Sequence, residues 1–472
     1  MSWTGWIALA ALAFAGCASL ATNVGIAQKR LPEAFEGAEE GPSVARTGWR
    51  DWLSDAGLAA LVEEAMTSNQ DLLITLQRVE AARANVRAAT GALLPEVSLA
   101  LGTSITRFGR YTMDGAGNRG TEITSGRLIP RNLPDFAVGL QSSWEVDLWG
   151  RLRSQRQSAI ARYLATVEGT NLVRTELIAA VASAYFDLLA LDHVREILRR
   201  SAQRQAEAVE VVRLQKQAGR ANDLAVRQFE AQLADTLAME RESVQQGREA
   251  ENTLNLLLGR FPQPVPRDKA VLFGDPPGAP SAGVPSDLLV NRPDVRAAEM
   301  ILRAAKFDLQ AARAAFFPSF TITAGGGYQA FEPSFLFRTP ESMAYSAAGA
   351  LVAPLVNRRA LEAQFAGAKA DQIEAMHEYQ RALLVAVTEV TNALSNVRAV
   401  DDVLAARRDR RAALERAVGT ADDLYRAGKA TYLEVLLAQQ TSLQADIELV
   451  EASRARRVAN VAVYRALGGG WQ

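Results

Sequence analysis

The sequence predicts a mainly α-helical chain with four membrane-type β-strands, built from two copies of one unit. Three observations predict this. First, of 472 residues 49% are hydrophobic, 22% charged and only 7% aromatic. Ala, Leu, Glu, Gln and Arg abound, and these residues lose little side-chain freedom in a helix. Second, no Pro and little Gly interrupt Arg153 to Ala218 or Arg358 to Ala427. Third, the same short segments recur in the same order in each half of the chain, which is the mark of an internal repeat.

Composition also excludes function classes. Lys and Arg number 52 against 53 Asp and Glu, a net charge of -1, so there is no electrostatic footprint for nucleic acid. With two His and one Cys, no His/Cys zinc cluster or disulfide framework assembles within one chain. His193 and His377 sit alone on seam-like helices and build no Ser/His/Asp grouping, so no catalytic residue is assigned.

At the start, Trp6 to Phe14 is an apolar run ending in Ala15-Gly16-Cys17. It is far shorter than the ~20 residues that span a bilayer as a helix, and reads as a secretory signal over 1–16. A Cys after Ala-Gly resembles a bacterial lipobox, in which Cys17 carries covalent lipid. The other reading is a plain signal peptide with an incidental Cys. Ala18, in place of the Asp that retains such lipoproteins in the inner membrane, favours outer-membrane sorting.

The repeat sets the organisation. Asp71 to Pro95 ends in Leu93-Leu94-Pro95, and Asp294 to Pro318 ends in Phe316-Phe317-Pro318, 223 residues later. Ala218-Gly219-Arg220-Ala221 is matched by Ala427-Gly428-Lys429-Ala430, and Leu258-Gly259 by Leu467-Gly468, both 209 residues on. The difference falls in the Gly/Arg/Thr-rich stretch Gly102 to Asp135. The expected division is an N-terminal extension and collar over 17–60, a first copy over 61–260, a Pro-rich linker over 261–286, a second copy over 287–467 and a tail over 468–472.

Within the helices, Val173, Leu177, Val181, Ala184, Leu188, Leu191, Val194 and Leu198 step by threes and fours, the seam of a packed helix. Each long run amounts to about 100 Å of helix at ~1.5 Å per residue. Asp223 to Leu258, Tyr432 to Leu467, Leu58 to Thr90 and Asp294 to Phe316 are read as shorter companions. Strand windows follow each Pro: 96–104 and 136–147, then 319–328 and 343–353. Val97, Leu99 and Leu101 alternate with Glu96, Ser98 and Ala100, a period of two that fits a half-buried sheet or a membrane barrel. In lipid only a closed barrel satisfies the backbone, and four strands are too few for a single-chain barrel, so closure requires several chains. Gly115-Ala116-Gly117-Asn118-Arg119-Gly120 satisfies GxGxxG, but it lies between strands with no helix opening after it. It is taken as a mobile loop rather than a dinucleotide site.

Several segments then carry a specific resemblance: Trp49-Arg50-Asp51-Trp52; Trp144-Glu145-Val146-Asp147-Leu148-Trp149-Gly150-Arg151; Asn291-Arg292-Pro293-Asp294-Val295; Ala311 to Ser319; and Ala466-Leu467-Gly468-Gly469-Gly470-Trp471. Together they resemble the TolC-like outer membrane efflux factor family, in its NodT-type lipoprotein branch. The resemblance implies a homotrimer with a twelve-stranded β-barrel and a periplasmic α-barrel. It further implies the passive exit duct of a resistance-nodulation-division type pump in a gram-negative outer membrane, coupled to a periplasmic adaptor and an inner-membrane transporter, exporting drugs or other small molecules. No cofactor beyond the lipid is expected.

By the same resemblance, Ala218, Gly219, Arg220, Ala221 and Ala427, Gly428, Lys429, Ala430 form the adaptor-contact tips. Their glycines supply the left-handed conformation of a helix end, and serving only as helix stops is the alternative. For the periplasmic gate, relatives commonly place Asp where this chain has Leu437. Glu434, one turn earlier, is the candidate for an acidic ring, Leu437 for a hydrophobic constriction, and Tyr425 for a tie between neighbouring helices. Arg407, Arg408, Arg410 and Arg411, among Asp401, Asp402, Asp409 and Glu415, are read as a solvated face of mixed ion pairs. Trp144 and Trp149 are read as interfacial aromatics or as packing in the collar between barrel and tunnel. The competing class is a periplasmic coiled-coil scaffold or structural lipoprotein without channel activity, which has no need of the strand windows.

Overall fold

A computed structural model describes residues 30–35, 41–53, 55–274, 281–354, 356 and 358–471. The signal over 1–16 and Cys17 lie outside the described residues. Each half runs helix, strand, strand, long helix, shorter helix. The first contains α1 (Ala56–Ser68), α2 (Gln70–Gly91), β1 (Glu96–Thr106), β2 (Leu133–Val146), α3 (Arg151–Gln217) and α4 (Asp223–Leu257). The second contains α5 (Pro293–Ala314), β3 (Ser319–Ala330), β4 (Met343–Val352), α6 (Arg359–Arg426) and α7 (Tyr432–Ala466). The long helices have 67 and 68 residues and their companions 35 each.

The structure corrects two readings. Leu58 to Thr90 is not one helix. It breaks at Asn69, whose Oδ1 accepts the Leu72 amide at 3.0 Å while its Nδ2 donates to the Leu257 carbonyl at 2.9 Å. One side chain thus starts α2 and closes the end of α4. The supposed mobile loop holds a helical turn, Met113–Gly117, where the Thr112 hydroxyl accepts the Gly115 amide, and a ribbon pairing Glu122–Thr124 with Arg127–Leu128. The strands also reach past their sequence windows, β1 to Thr106 and β3 to Ala330, because pairing with neighbours continues after the apolar alternation stops.

The chain divides into two compact units. One comprises Ala81–Tyr163 and Met300–Met376. It holds an antiparallel sheet whose spatial order β1-β2-β3-β4 repeats the chain order. Register sorts the side chains onto two faces. Leu99, Leu140, Gly326 and Tyr345 lie in one row, and Leu101, Val138, Tyr328 and Met343 in another on the same face. The opposite face carries Ser98, Gln141, Gly325 and Ser346, then Ala100, Gly139, Gly327 and Ala344. Both β1 and β4 leave an edge unpaired among the described residues. Corners between helix and strand are tied by indoles: Trp144 Nε1 donates to the Leu93 carbonyl at 3.0 Å and Trp149 Nε1 to the Pro318 carbonyl at 2.7 Å.

The other unit comprises Ala27–Glu80, Leu164–Glu299 and His377–Gln472. One core cluster joins Trp49, Trp52 and Leu58 to Val181, Tyr185, Leu188 and Leu258, and a second gathers Val295, Ala386, Val390, Val463 and Leu467. Trp52 stacks on Tyr464 at 4.3 Å, and the Tyr464 hydroxyl donates to the Thr47 carbonyl. The linker docks on these helices. Arg457 donates to the Val271 and Gly274 carbonyls, and Arg267 pairs with Asp192 and Glu251 at 2.6 Å.

Candidate functional site

The two turns that reverse α3 and α6 are built alike. Gly219 (φ 70°) and Gly428 (φ 71°) take the left-handed conformation that glycine adopts without a Cβ penalty. The Gly219 amide donates to Lys216 and that of Arg220 to Gln215; the Gly428 amide donates to Tyr425 and that of Lys429 to Leu424. These paired bonds satisfy the last carbonyls of each helix in a Schellman motif. The reversal is therefore written locally, by Gly two residues past the helix end.

Beyond each glycine the turns differ. Asn222 Oδ1 accepts the Ala225 amide to start α4, whereas α7 starts with Thr431 donating both its amide and its hydroxyl to Glu434 Oε2, at 2.6 and 2.9 Å. Those two bonds hold the Glu434 carboxyl below the usual carboxylate range. The first turn is laced with charge pairs. Lys216 bonds Asp223, Arg213 reaches Glu210 and Glu230 at 2.7 and 2.6 Å, and Arg227 reaches Glu230 at 3.0 Å. The bond from Lys216 draws the Asp223 carboxyl down. Around the second turn, Asp422, Asp423, Arg426 and Lys429 have no ion-pair partner among the described residues.

Two links join the turns. The Tyr425 hydroxyl donates to Gln215 Oε1 at 2.5 Å, and burial raises its pKa against the opposing effect of that bond. Tyr432 and Leu436 of α7 pack on the apolar cluster of Val209, Val212, Ala225, Val226 and Phe229. Leu433 and Leu437, on the other side of α7, stay 54% and 58% exposed. Of the predicted residues, Tyr425 is thus brought against the first turn, Glu434 serves as a helix cap and Leu437 faces outward. Leu433 was missed in the sequence, although its spacing of four from Leu437 marks a shared face.

The arginine-rich segment of α6 needs a correction. Its charges are not simply a solvated face: Arg407 and Arg410 converge on Glu448, Arg411 reaches Asp446 at 2.9 Å, and Asp401 takes Arg456 at 2.7 Å. These pairs bridge α6 to α7, a partnership that depends on helix register and that local sequence does not display. In the sequence, Arg292 is one residue of the Asn291-Arg292-Pro293-Asp294-Val295 segment. It is 6% exposed and donates to Asp294, to Glu389 and to the Ala466 carbonyl at the end of α7. Burial works against its charge, but the two carboxylates outweigh that effect and raise its pKa. His193 bonds the Lys269 carbonyl at 2.8 Å and meets the Phe273 ring edge-on, a packing role.

An exposed apolar sheet face, with Leu99 at 66%, Leu101 at 73% and Tyr345 at 90% exposure, has no place in water. Joined directly to long polar helices, it defines a membrane-sheet protein with a large aqueous part. Known proteins agree. Residues 61–260 and 284–469 match the family described as outer membrane efflux protein. The pyoverdine export outer membrane protein OpmQ of Pseudomonas aeruginosa is 33% identical over 90% of this chain and 88% of its own length. The cation efflux system protein CusC of Escherichia coli is 28% identical over 98% and 97%. Among solved structures, the outer-membrane channel OprN superposes with a TM-score of 0.84 at 27% identity, covering 96% of this chain and all (100%) of that one. The open state of the Neisseria gonorrhoeae MtrE outer membrane channel gives 0.82 at 26%, covering 95% and 98%.

The chain belongs to the outer membrane efflux protein family. It is an efflux channel protein of the gram-negative outer membrane, and its relatives are channel and transport proteins.

Proposed function

We propose that three copies of this chain close one barrel of twelve strands, β4 of each pairing with β1 of the next, and form the exit duct of a tripartite pump. The observation that carries this reading is the four-stranded sheet with an apolar face and two unpaired edges. A sheet in hydrocarbon tolerates no open edge, and four strands enclose nothing. Apart from Gln141, the two rows opposite the apolar ones offer Ser, Gly and Ala, small enough to leave a lumen clear.

The turns at Gly219 and Gly428 meet the periplasmic adaptor, which links the duct to the inner-membrane transporter. Transport through the duct is passive and the chain has no enzymatic role. Cys17 carries the lipid anchor. Cargo is a drug or other small molecule. The names of relatives point to different cargoes, pyoverdine for OpmQ and cations for CusC, in keeping with selectivity set by the transporter. We assign closure to the exposed pair Leu433 and Leu437, with Tyr425 as the tie, in preference to an acidic ring. The Glu434 carboxylate already caps α7, and apolar rings gate pores by dewetting.

The test is reconstitution of the purified protein in a planar bilayer, with electrophoresis before and after boiling. A heat-sensitive oligomer three times the chain mass, with discrete conductance steps, is expected. A monomer without conductance would make the chain a scaffold.

A further inference from the structure

The strands enter the sheet from helices at one end, where Glu96 pairs with Ser143 and Ser319 with Val352. They leave it at the other end, where Thr106 pairs with Leu133 and Tyr328 with Met343. The connections at that second end, residues 107–132 and 331–342, face away from the helix-bearing end. In an outer-membrane channel whose helices are periplasmic, that end is the cell exterior.

The two connections are pinned to each other. Arg127 pairs with Glu332, and the Phe335 ring carries the guanidinium of Arg127 at 5.7 Å and of Arg338 at 4.7 Å. Residues 107–132 hold five Arg and no Lys, against only Asp114 and Glu122. Arg127 is taken by Glu332. The other four, Arg107, Arg110, Arg119 and Arg131, are exposed and have no carboxylate partner among the described residues. Tyr111 and Met113, in the same stretch, are 95% and 91% exposed.

Exposed guanidinium groups interleaved with exposed aromatic and apolar side chains suit a surface that is anionic outside and oily beneath. Arg in place of Lys suits phosphate in particular, since the planar fork binds two oxygens at once. We infer that this loop pair docks the channel on the phosphate groups of phosphorylated glycolipid in the outer leaflet. Arg110, Arg119 and Arg131 take the phosphates while Tyr111 and Met113 enter the headgroup boundary. The pinning through Phe335 holds the loop in place for contact.

The full-length channel is purified into discs of phosphatidylethanolamine containing either a bisphosphorylated glycolipid or its dephosphorylated form, and glycolipid retained per chain is measured. About tenfold preference for the phosphorylated form is expected, the scale set by a few arginines at an anionic surface. The triple variant Arg110→Gln, Arg119→Gln, Arg131→Gln should lose that preference while conductance and oligomer persist. A second variant, Asp114→Asn with Glu122→Gln, should strengthen it. Equal retention of the two lipids, a preference that survives the triple variant, or its abolition by inorganic phosphate at equal concentration would each overturn the inference, the last by making this a site for soluble anions.

Discussion

The Tyr425 hydroxyl lies 2.5 Å from Gln215 Oε1 and ties the last turn of α6 to the last turn of α3. Each partner sits in a Schellman motif, since the Gln215 carbonyl receives the Arg220 amide and the Tyr425 carbonyl the Gly428 amide. Side chain and backbone therefore couple the two turns. Removing the hydroxyl in Tyr425→Phe forfeits a bond of about 1 kcal/mol net, roughly a fivefold change in an equilibrium. An increase of that order in open probability is expected in single-channel recordings. The phenol's pKa is raised, so the donor form persists above the range of a free tyrosine. The tie should be unaffected between pH 6 and 9 and be lost only as pH rises through the elevated value.

The Glu434 cap behaves in the opposite sense. Its carboxyl is held down by the Thr431 amide and hydroxyl, so its contribution is present above the ordinary carboxylate pKa and disappears as pH falls through the depressed value. Hydrogen exchange at the Thr431 amide should show protection at pH 5 that Glu434→Ala removes and Glu434→Gln keeps in part. Cation preference in the bilayer should be unchanged in both variants. A loss of preference in both would restore the acidic ring.

Four glycines end helices in the same way, and their replacements should fall into two classes. At Gly219 and Gly428 an added Cβ meets nothing within 4 Å, so Ala costs only the left-handed backbone, about 1 kcal/mol each. At Gly259 a Cβ would sit 2.1 Å from the Ser68 carbonyl oxygen, and at Gly468 2.5 Å from that of Asn291. Those variants add overpacking of about 1–3 kcal/mol. Thermal unfolding should rank Gly259→Ala and Gly468→Ala well below the turn variants. Bulky replacements at Gly219 and Gly428 should abolish efflux while the oligomer persists. Unchanged efflux there would sink the adaptor contact.

Arg292 is a structural keystone of the helical unit. Replacing it with Met strands Asp294, Glu389 and the Ala466 carbonyl, a loss on the order of 1–3 kcal/mol because both carboxylates keep access to water. A lower unfolding midpoint and reduced outer-membrane abundance are expected. The Lys variant should recover only part, because one ammonium cannot reproduce the fork held by Asp294.

Helix period, strand period and the reversal glycines were legible because each is a local property. The seam of α3, the alternation after Pro95 and Pro318, and a Gly two residues past a helix end all act within a few residues. The break at Asn69 was not legible, since its second bond goes to Leu257, far along the chain. Nor was the role of Glu448, which gathers Arg407 and Arg410 only once α6 and α7 lie in register. The turn at Met113–Gly117 was masked by glycines that usually discourage helix, and a single Thr112 cap sufficed to close it.

By itself, the sequence determined the element types and the twofold recurrence, both set by periodicity and by short-range backbone preferences. Only the tertiary structure decided which charges pair and that Tyr425 meets Gln215. It alone showed the two connections at the far end of the sheet pinned together through Arg127 and Glu332. These depend on packing partners tens to hundreds of residues apart, whose proximity no local rule encodes.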